Sequence, residues 1–125
     1  MKTAQLLPTG VLVVLLVFTL TAQKCSIEVD LAGRGPEGTR DGVWEGSFDT
    51  DLVKATVLVT TENEKIADIE IVRHDNGMGK KAEAVIDQVI ASQSTSVDVV
   101  SGATLSSKVI LRAVEEALNK ASSGN

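Results

Sequence analysis

Cysteine, histidine and aromatic residues are nearly absent from this chain of 125 residues, and each scarcity removes a class of function. Cys25 is the single cysteine, so no internal disulfide and no multi-cysteine metal site can form. His74 is the single histidine, which excludes a His-rich metal centre and leaves a hydroxyl nucleophile only one candidate base. There is no tyrosine, and Trp44, Phe18 and Phe48 are the only aromatic side chains. With Phe18 inside an N-terminal apolar run, a folded domain has two rings to bury, and its core must be aliphatic. Acidic residues are missing before Glu28, where the only charged side chains are Lys2 and Lys24; the remainder carries 10 basic against 17 acidic side chains, a net of −7. An acidic body of this kind repels nucleic acid and anionic lipid head groups, which argues against nucleic-acid binding. Any phosphate it holds must be gripped by local backbone groups or by a covalent bond.

What is present begins with the apolar run from Leu6 to Ala22, interrupted by Pro8, Thr9, Gly10, Thr19 and Thr21 and preceded by Lys2. That is the layout of an export signal. The run is at the short end of the ~17–25 residues that span a bilayer. Residues 1–24 are therefore expected to be a signal peptide or a retained N-terminal membrane anchor helix. Lipidation of Cys25 ranks below both, because Lys24 stands where a small residue is required. Residues 25–41 are expected to be a flexible linker, since Leu31 to Asp41 (LAGRGPEGTRD) is rich in glycine, mixed in charge and contains Pro36. The folded unit is expected over residues 42–121.

Within that unit, Val43 to Asp49 alternates as a strand with Trp44 and Phe48 on one face, and Leu52 to Thr60 places Val53, Ala55, Val57 and Val59 together. After the polar turn Thr61 to Lys65, Ile66 to Arg73 predicts a third strand with Ala67, Ile69 and Ile71 on a common face. The period then changes: Ala82, Val85, Ile86, Val89 and Ile90 fall on one stripe of an amphipathic helix. Val97 to Val100 is a short apolar piece, a fourth strand. Val109, Ile110, Ala113, Val114, Ala117 and Leu118 form the stripe of a last helix, with Ser106 or Ser107 as N-cap and Glu115 and Glu116 on the outer face. Strands followed by helices predict an α+β domain: a small antiparallel sheet of three to four strands packed with two helices, in the order β-β-β-α-β-α.

The segment with chemical content is Asp98-Val99-Val100-Ser101-Gly102-Ala103-Thr104. A short apolar piece enters a Gly-Ala turn and leaves into a helix. Small residues there let another molecule approach the backbone, and the N–H groups and positive dipole end of a helix start favour a phosphate. Thr104 presents a hydroxyl at the same spot. The residues by themselves also fit a tight turn with a threonine cap. A hydrolase built on Thr104 needs a base and an orienting acid, and His74, at a strand end and expected to be solvated, is the only base on offer.

Taken in order, these residues resemble the FMN-binding domain family, which includes the covalent-FMN subunits of the sodium-pumping NADH:quinone reductase and of the related Rnf electron-transport complexes. Asp98 to Thr104 reproduces the D-x-x-S/T-G-A-T/S flavinylation motif, and His74 to Glu83 supplies an H-x-x-G-x-G-K-K-A-E stretch ahead of the helix. The likeness runs from about Asp41 to Ala121. It implies FMN held covalently through a phosphoester to Thr104, attached by a separate flavin transferase that uses FAD as donor. Asp98 occupies the motif's acidic position, where it serves the transferase or stabilises the turn, and Ser101, Gly102 and Ala103 are implied to line the ribityl phosphate. The resemblance also places the loop Asn76 to Gly79 over the isoalloxazine ring, with Gly77 and Gly79 opening backbone N–H groups to it and Met78 offering a polarizable contact; the same loop fits an ordinary strand-to-helix connection.

The implied function is an electron-carrier domain rather than a stand-alone enzyme: a redox relay at the extracytoplasmic face of a cell membrane, or in the periplasm, serving an unidentified redox partner protein. The alternatives are an exported FMN-binding sensor or storage module without electron traffic, and a structural domain in which the Ser-Gly-Ala-Thr segment is only a turn.

Overall fold

The computed structural model describes residues 29–75, 80–99 and 101–123. The expected signal or anchor segment and Cys25 lie outside them, and no helix among the described residues is long and apolar enough to cross a membrane.

Three strands, β1 (Gly42–Asp49), β2 (Lys54–Glu62) and β3 (Lys65–Asp75), form one antiparallel sheet in that order. The alternation in β2 buries Val53, Ala55, Val57 and Val59 on one face, and its intervening residues point to the polar side, as expected for a sheet covered on one face only. Asn63 and Glu64 close the β2–β3 hairpin with φ of 52° and 57°. Two left-handed residues in a two-residue loop match the twist of the strands they join.

β3 departs from strict alternation. Its register against β2 slips between Thr60 and Thr61 and again between Thr56 and Val57, leaving Ala67 and Val72 without partners. These are β-bulges, each of which shifts every later side chain to the other face. Ile66 and Ile69 are therefore buried while Ala67 is exposed, which corrects the expected stripe of Ala67, Ile69 and Ile71. Read across the sheet, the core face carries the rows Gly42–Thr61–Ile66, Trp44–Val59–Ile69, Gly46–Val57–Ile71 and Phe48–Ala55–His74.

The chain then forms α1 (Lys80–Glu83), α2 (Val85–Ser92) and α3 (Thr104–Ser123). Both helical stripes are where their spacing puts them: Ala82, Val85, Ile86 and Val89 are buried, as are Val109, Ile110, Ala113, Val114, Ala117 and Leu118. α3 lies on the core face over β1 and β2. It approaches so closely at Gly46 that a Cβ there would stand 2.0 Å from the Ala113 carbonyl oxygen and 2.6 Å from the Ala117 nitrogen. α2 is tied to the edge strand by Gln93, whose Oε1 accepts the Ile66 N–H at 2.7 Å and whose Nε2 donates to the Ile66 carbonyl at 3.0 Å.

Four expectations are corrected. Residues 96–99 form no strand, so among the described residues the order is β-β-β-α-α-α and the sheet has three strands. α3 begins at Thr104, ahead of the expected caps: Ser106 and Ser107 are 3% and 0% exposed inside its first turns. Glu115, expected on the outer face, is 1% exposed. The reason is the fourth correction. Residues 29–41 are an ordered strap packed along α3, in which Val29 and Thr39 are buried and Arg40 N–H donates to the Ala121 carbonyl at 3.1 Å. The strap delivers the N–H groups of Ala32 and Gly33 to the Glu115 carboxylate at 3.1 and 3.0 Å, and the Thr95 hydroxyl donates to it at 2.7 Å. Thr95 Oγ1 in turn accepts the Arg34 N–H at 2.7 Å. A glycine-rich composition suited to a coil is equally suited to a close backbone approach to a buried carboxylate.

Candidate functional site

At one end of the sheet, the β1–β2 loop and the start of α3 face each other. Thr50 shapes the loop: its Oγ1 accepts the N–H groups of Leu52 and Val53 at 3.3 and 2.9 Å, and its own N–H donates to the Val53 carbonyl at 2.8 Å. Opposite it, Ser101 and Gly102 make the turn into α3. Gly102 has a φ of 81°, which a side chain would strain. The Ala103 carbonyl accepts both the N–H and the hydroxyl of Ser107, at 2.9 and 2.7 Å, closing the first helical turn.

Between these two walls lies an open cavity of about 540 Å³, lined by Asp51, Leu52 and Val53 on one side and by residues 102–106 on the other. Leu52 leaves 56% of its surface exposed at its lip. Thr104 is exposed and lines the cavity, whereas Ser106 also lines it but is buried. The N-terminal end of a 20-residue helix brings a positive partial charge to this wall. Lys81 adds a full one, since its Nζ lies 3.1 Å from where a Cβ on Gly102 would be. In a domain of net negative charge, this corner is locally suited to an anion.

Of the residues singled out from sequence, the structure brings Gly102, Ala103 and Thr104 to the cavity. Ser101 is exposed in the same turn, outside the lining, and Asp98 is exposed and likewise outside it. Gly77, Met78 and Gly79 lie outside the described residues. Asp51, Leu52, Val53 and Lys81 were not anticipated as site residues. Leu52 and Val53 read as strand residues in the sequence, and Lys81 falls within the H-x-x-G-x-G-K-K-A-E stretch without being singled out. Trp44 and Phe48 pack against the core cluster, as expected, with the Trp44 Nε1–H donating to Thr61 Oγ1 at 3.0 Å. No group of three or more potential metal ligands occurs among the described residues.

His74 is not solvated, contrary to expectation. Its side chain is 4% exposed, with Nδ1 3.8 Å from Glu83 Oε1. Neither ring nitrogen has a hydrogen-bond partner among the described residues. A buried polar group left in that state costs about 1–3 kcal/mol. The bulge at Val72 produces this: with unbroken register Arg73 would oppose Ala55, and the extra residue puts His74 there instead.

Residues 52–119 match the profile of the FMN-binding domain. The chain is 35% identical over 102 residues to an uncharacterized protein of Treponema pallidum (strain Nichols), a region covering 79% of this chain and 26% of that protein. It is also 35% identical over 92 residues to a urocanate reductase of Eggerthella lenta, covering 71% of this chain and 15% of the reductase. Both relatives extend far beyond the matched region. The matched segment contains Thr104, Lys81 and His74 as well as most of the cavity lining.

Proposed function

The chain belongs to the FMN-binding domain family, and from that premise we propose that it carries FMN covalently, as a phosphoester on Thr104, and serves as an extracytoplasmic electron relay. The observation that carries the attachment site is the contrast among hydroxyls at the start of α3. Thr104 is exposed on the cavity, while Ser106 and Ser107 are buried.

The residues present fit the group. The N-terminal turn of α3 and the Lys81 ammonium offset the charge of a phosphodiester on Thr104, and the bare Cα of Gly102 leaves it room. Leu52 and Val53 give an aliphatic wall for the ring. FMN, when bound, supplies reversible one- or two-electron chemistry; the chain's part is to fix its position and tune its surroundings. An open cavity rather than an enclosed pocket suits exchange of electrons with another protein better than conversion of a small substrate.

The likeness to a urocanate reductase supports a place in electron delivery. It does not extend to that enzyme's substrate, because 15% of the reductase is matched. The apolar leader supports export and membrane linkage, with the acidic domain outside the cytoplasmic membrane, a flavin transferase as maturation partner and a protein redox partner.

Mass spectrometry of protein coexpressed with a flavin transferase tests the reading. The chain gains the mass of FMN less one water and keeps it through denaturation; Thr104→Val, similar in shape, loses the gain and stays folded. A folded Thr104→Val protein that still carries covalent flavin refutes the assignment.

A further inference from the structure

The cavity beside Thr104 is electrically lopsided. At its helix end stand the N-terminal turn of α3 and the Lys81 ammonium, whose Nζ lies 3.1 Å from where a Cβ on Gly102 would be. The facing wall is the β1–β2 loop, and there the sign reverses. Asp51 is the one ionisable side chain among the described residues that line the cavity; the rest of the lining is aliphatic, small or hydroxylated.

Asp51 is exposed, yet its backbone is held on both sides. Thr50 Oγ1 accepts the N–H groups of Leu52 and Val53 at 3.3 and 2.9 Å, and the Thr50 N–H donates to the Val53 carbonyl at 2.8 Å. The Asp51 carboxylate has no hydrogen bond or ion pair among the described residues. The loop thus fixes the position of a charge on which its own conformation does not depend. That charge is left to act on whatever occupies the cavity.

FMN on Thr104 has one end of constant charge and one whose charge changes. The phosphodiester is anionic throughout and suits the Lys81 corner; turned round in the cavity, it would meet Asp51 instead. The ring, lying against Leu52 and Val53, is neutral when oxidised, and two electrons taken up with one proton leave it negative. A carboxylate on the residue next to Leu52 repels that added charge, and charge near a flavin ring tunes its electronics.

We propose that Asp51 sets the redox level of this domain, lowering the midpoint potential of FMN on Thr104 by opposing the negative charge of the reduced ring. This rests on the FMN reading above. It makes the loaded domain a stronger electron donor than the same cavity with a neutral loop.

The full chain, flavinylated and with its flavin mass confirmed, is titrated spectroelectrochemically at low ionic strength beside Asp51→Asn, Asp51→Glu and Asp49→Asn. Asp49 is exposed and outside the lining, so its substitution makes the same change in net charge at another place. The midpoint potential rises in Asp51→Asn, stays near the native value in Asp51→Glu, and moves in Asp49→Asn by less than half as much. The rise shrinks at least twofold between about 0.01 and about 1 M salt, as the screening length falls from ~30 to ~3 Å. Because the Asp51 side chain holds no bond in the loop, Asp51→Asn keeps the native far-UV circular dichroism and flavin mass. Folded, loaded Asp51→Asn with an unchanged or lowered potential overturns the proposal and leaves the attachment to Thr104 standing. An equal shift in Asp49→Asn also overturns it, since net charge alone then accounts for the effect. Absence of any flavin mass in the native chain overturns both readings.

Discussion

Replacing Glu115 with alanine removes the acceptor on which three hydrogen bonds from two distant parts of the chain converge. In the native structure the carboxylate takes hydrogen bonds from Ala32 N, Gly33 N and Thr95 Oγ1, with the Arg112 guanidinium 3.9 Å away. A hydrogen bond to a charged group contributes ~1.5–3 kcal/mol. The sum is reduced because burying the carboxylate itself costs several kcal/mol. It is reduced again because Ala32 and Gly33, both exposed residues, regain water when the strap lifts. The Thr95 hydroxyl, buried beside it, has no such recourse. A net loss of about 3 kcal/mol is expected, and for a domain of this size that lowers Tm by roughly 12–24 °C. Glu115→Gln keeps the shape and one acceptor oxygen, and should cost about 1–2 kcal/mol. Thermal and urea unfolding measure the loss, and a double-mutant cycle with Thr95→Val isolates the shared bond. Amide hydrogen exchange adds a local readout: the Ala32 and Gly33 amides are protected in the native chain and lose protection in Glu115→Ala. A cost below ~0.5 kcal/mol, the range of ordinary surface substitutions, or unchanged exchange at those two amides, refutes the strap as a packed element.

Gly46→Ala forces a methyl group against the Ala113 carbonyl and the Ala117 backbone; the helix must move off β1, at a cost of about 1–3 kcal/mol or more, read by urea unfolding. Gly102→Val places a β-branched residue at φ 81° and against the Lys81 ammonium, so flavin loading by the transferase falls sharply while far-UV circular dichroism is retained; full loading counts against the turn as the phosphate-binding corner. Lys81→Glu reverses the charge at that corner and slows loading without altering the fold. The export reading expects a reporter fused after Asn125 in the intact chain to be accessible from outside the cytoplasmic membrane; a soluble cytoplasmic product contradicts both the signal and the anchor reading of the leader.

The class of fold and the turn that enters the last helix were legible in the sequence for a common reason: both rest on local patterns. The β2 alternation and the two helical stripes report burial at spacings of two and of three to four residues. The order Ser-Gly-Ala-Thr before an apolar stripe marks a left-handed turn feeding a helix start. What was illegible depended on contacts between distant segments. Glu115 looks like any outward-facing helical carboxylate until a strap some 80 residues away folds over it. The strap has the composition of a linker, and only its partners distinguish the two. Leu52 and Val53 read simply as strand residues, because the wall opposite them comes from the other end of the domain.

The two bulges of β3 mark the boundary most plainly. By itself the sequence determined that Ile66 to Arg73 is extended, since β-branched residues with alternating polarity favour a pleated, half-buried surface. It did not determine which side chains face inward. That was decided by the pairing with β2, which the hairpin joins at one end and α3 packs against. One unpaired residue at each slip keeps Ile66 and Ile69 in the core and then brings His74, not Arg73, opposite Ala55. A side chain's face in a strand is a property of the pair rather than of the strand, because a one-residue shift reverses every position at once. The hydroxyl of Thr104 was therefore readable from its neighbours in the chain, while the burial of the His74 imidazole was decided only when the sheet closed.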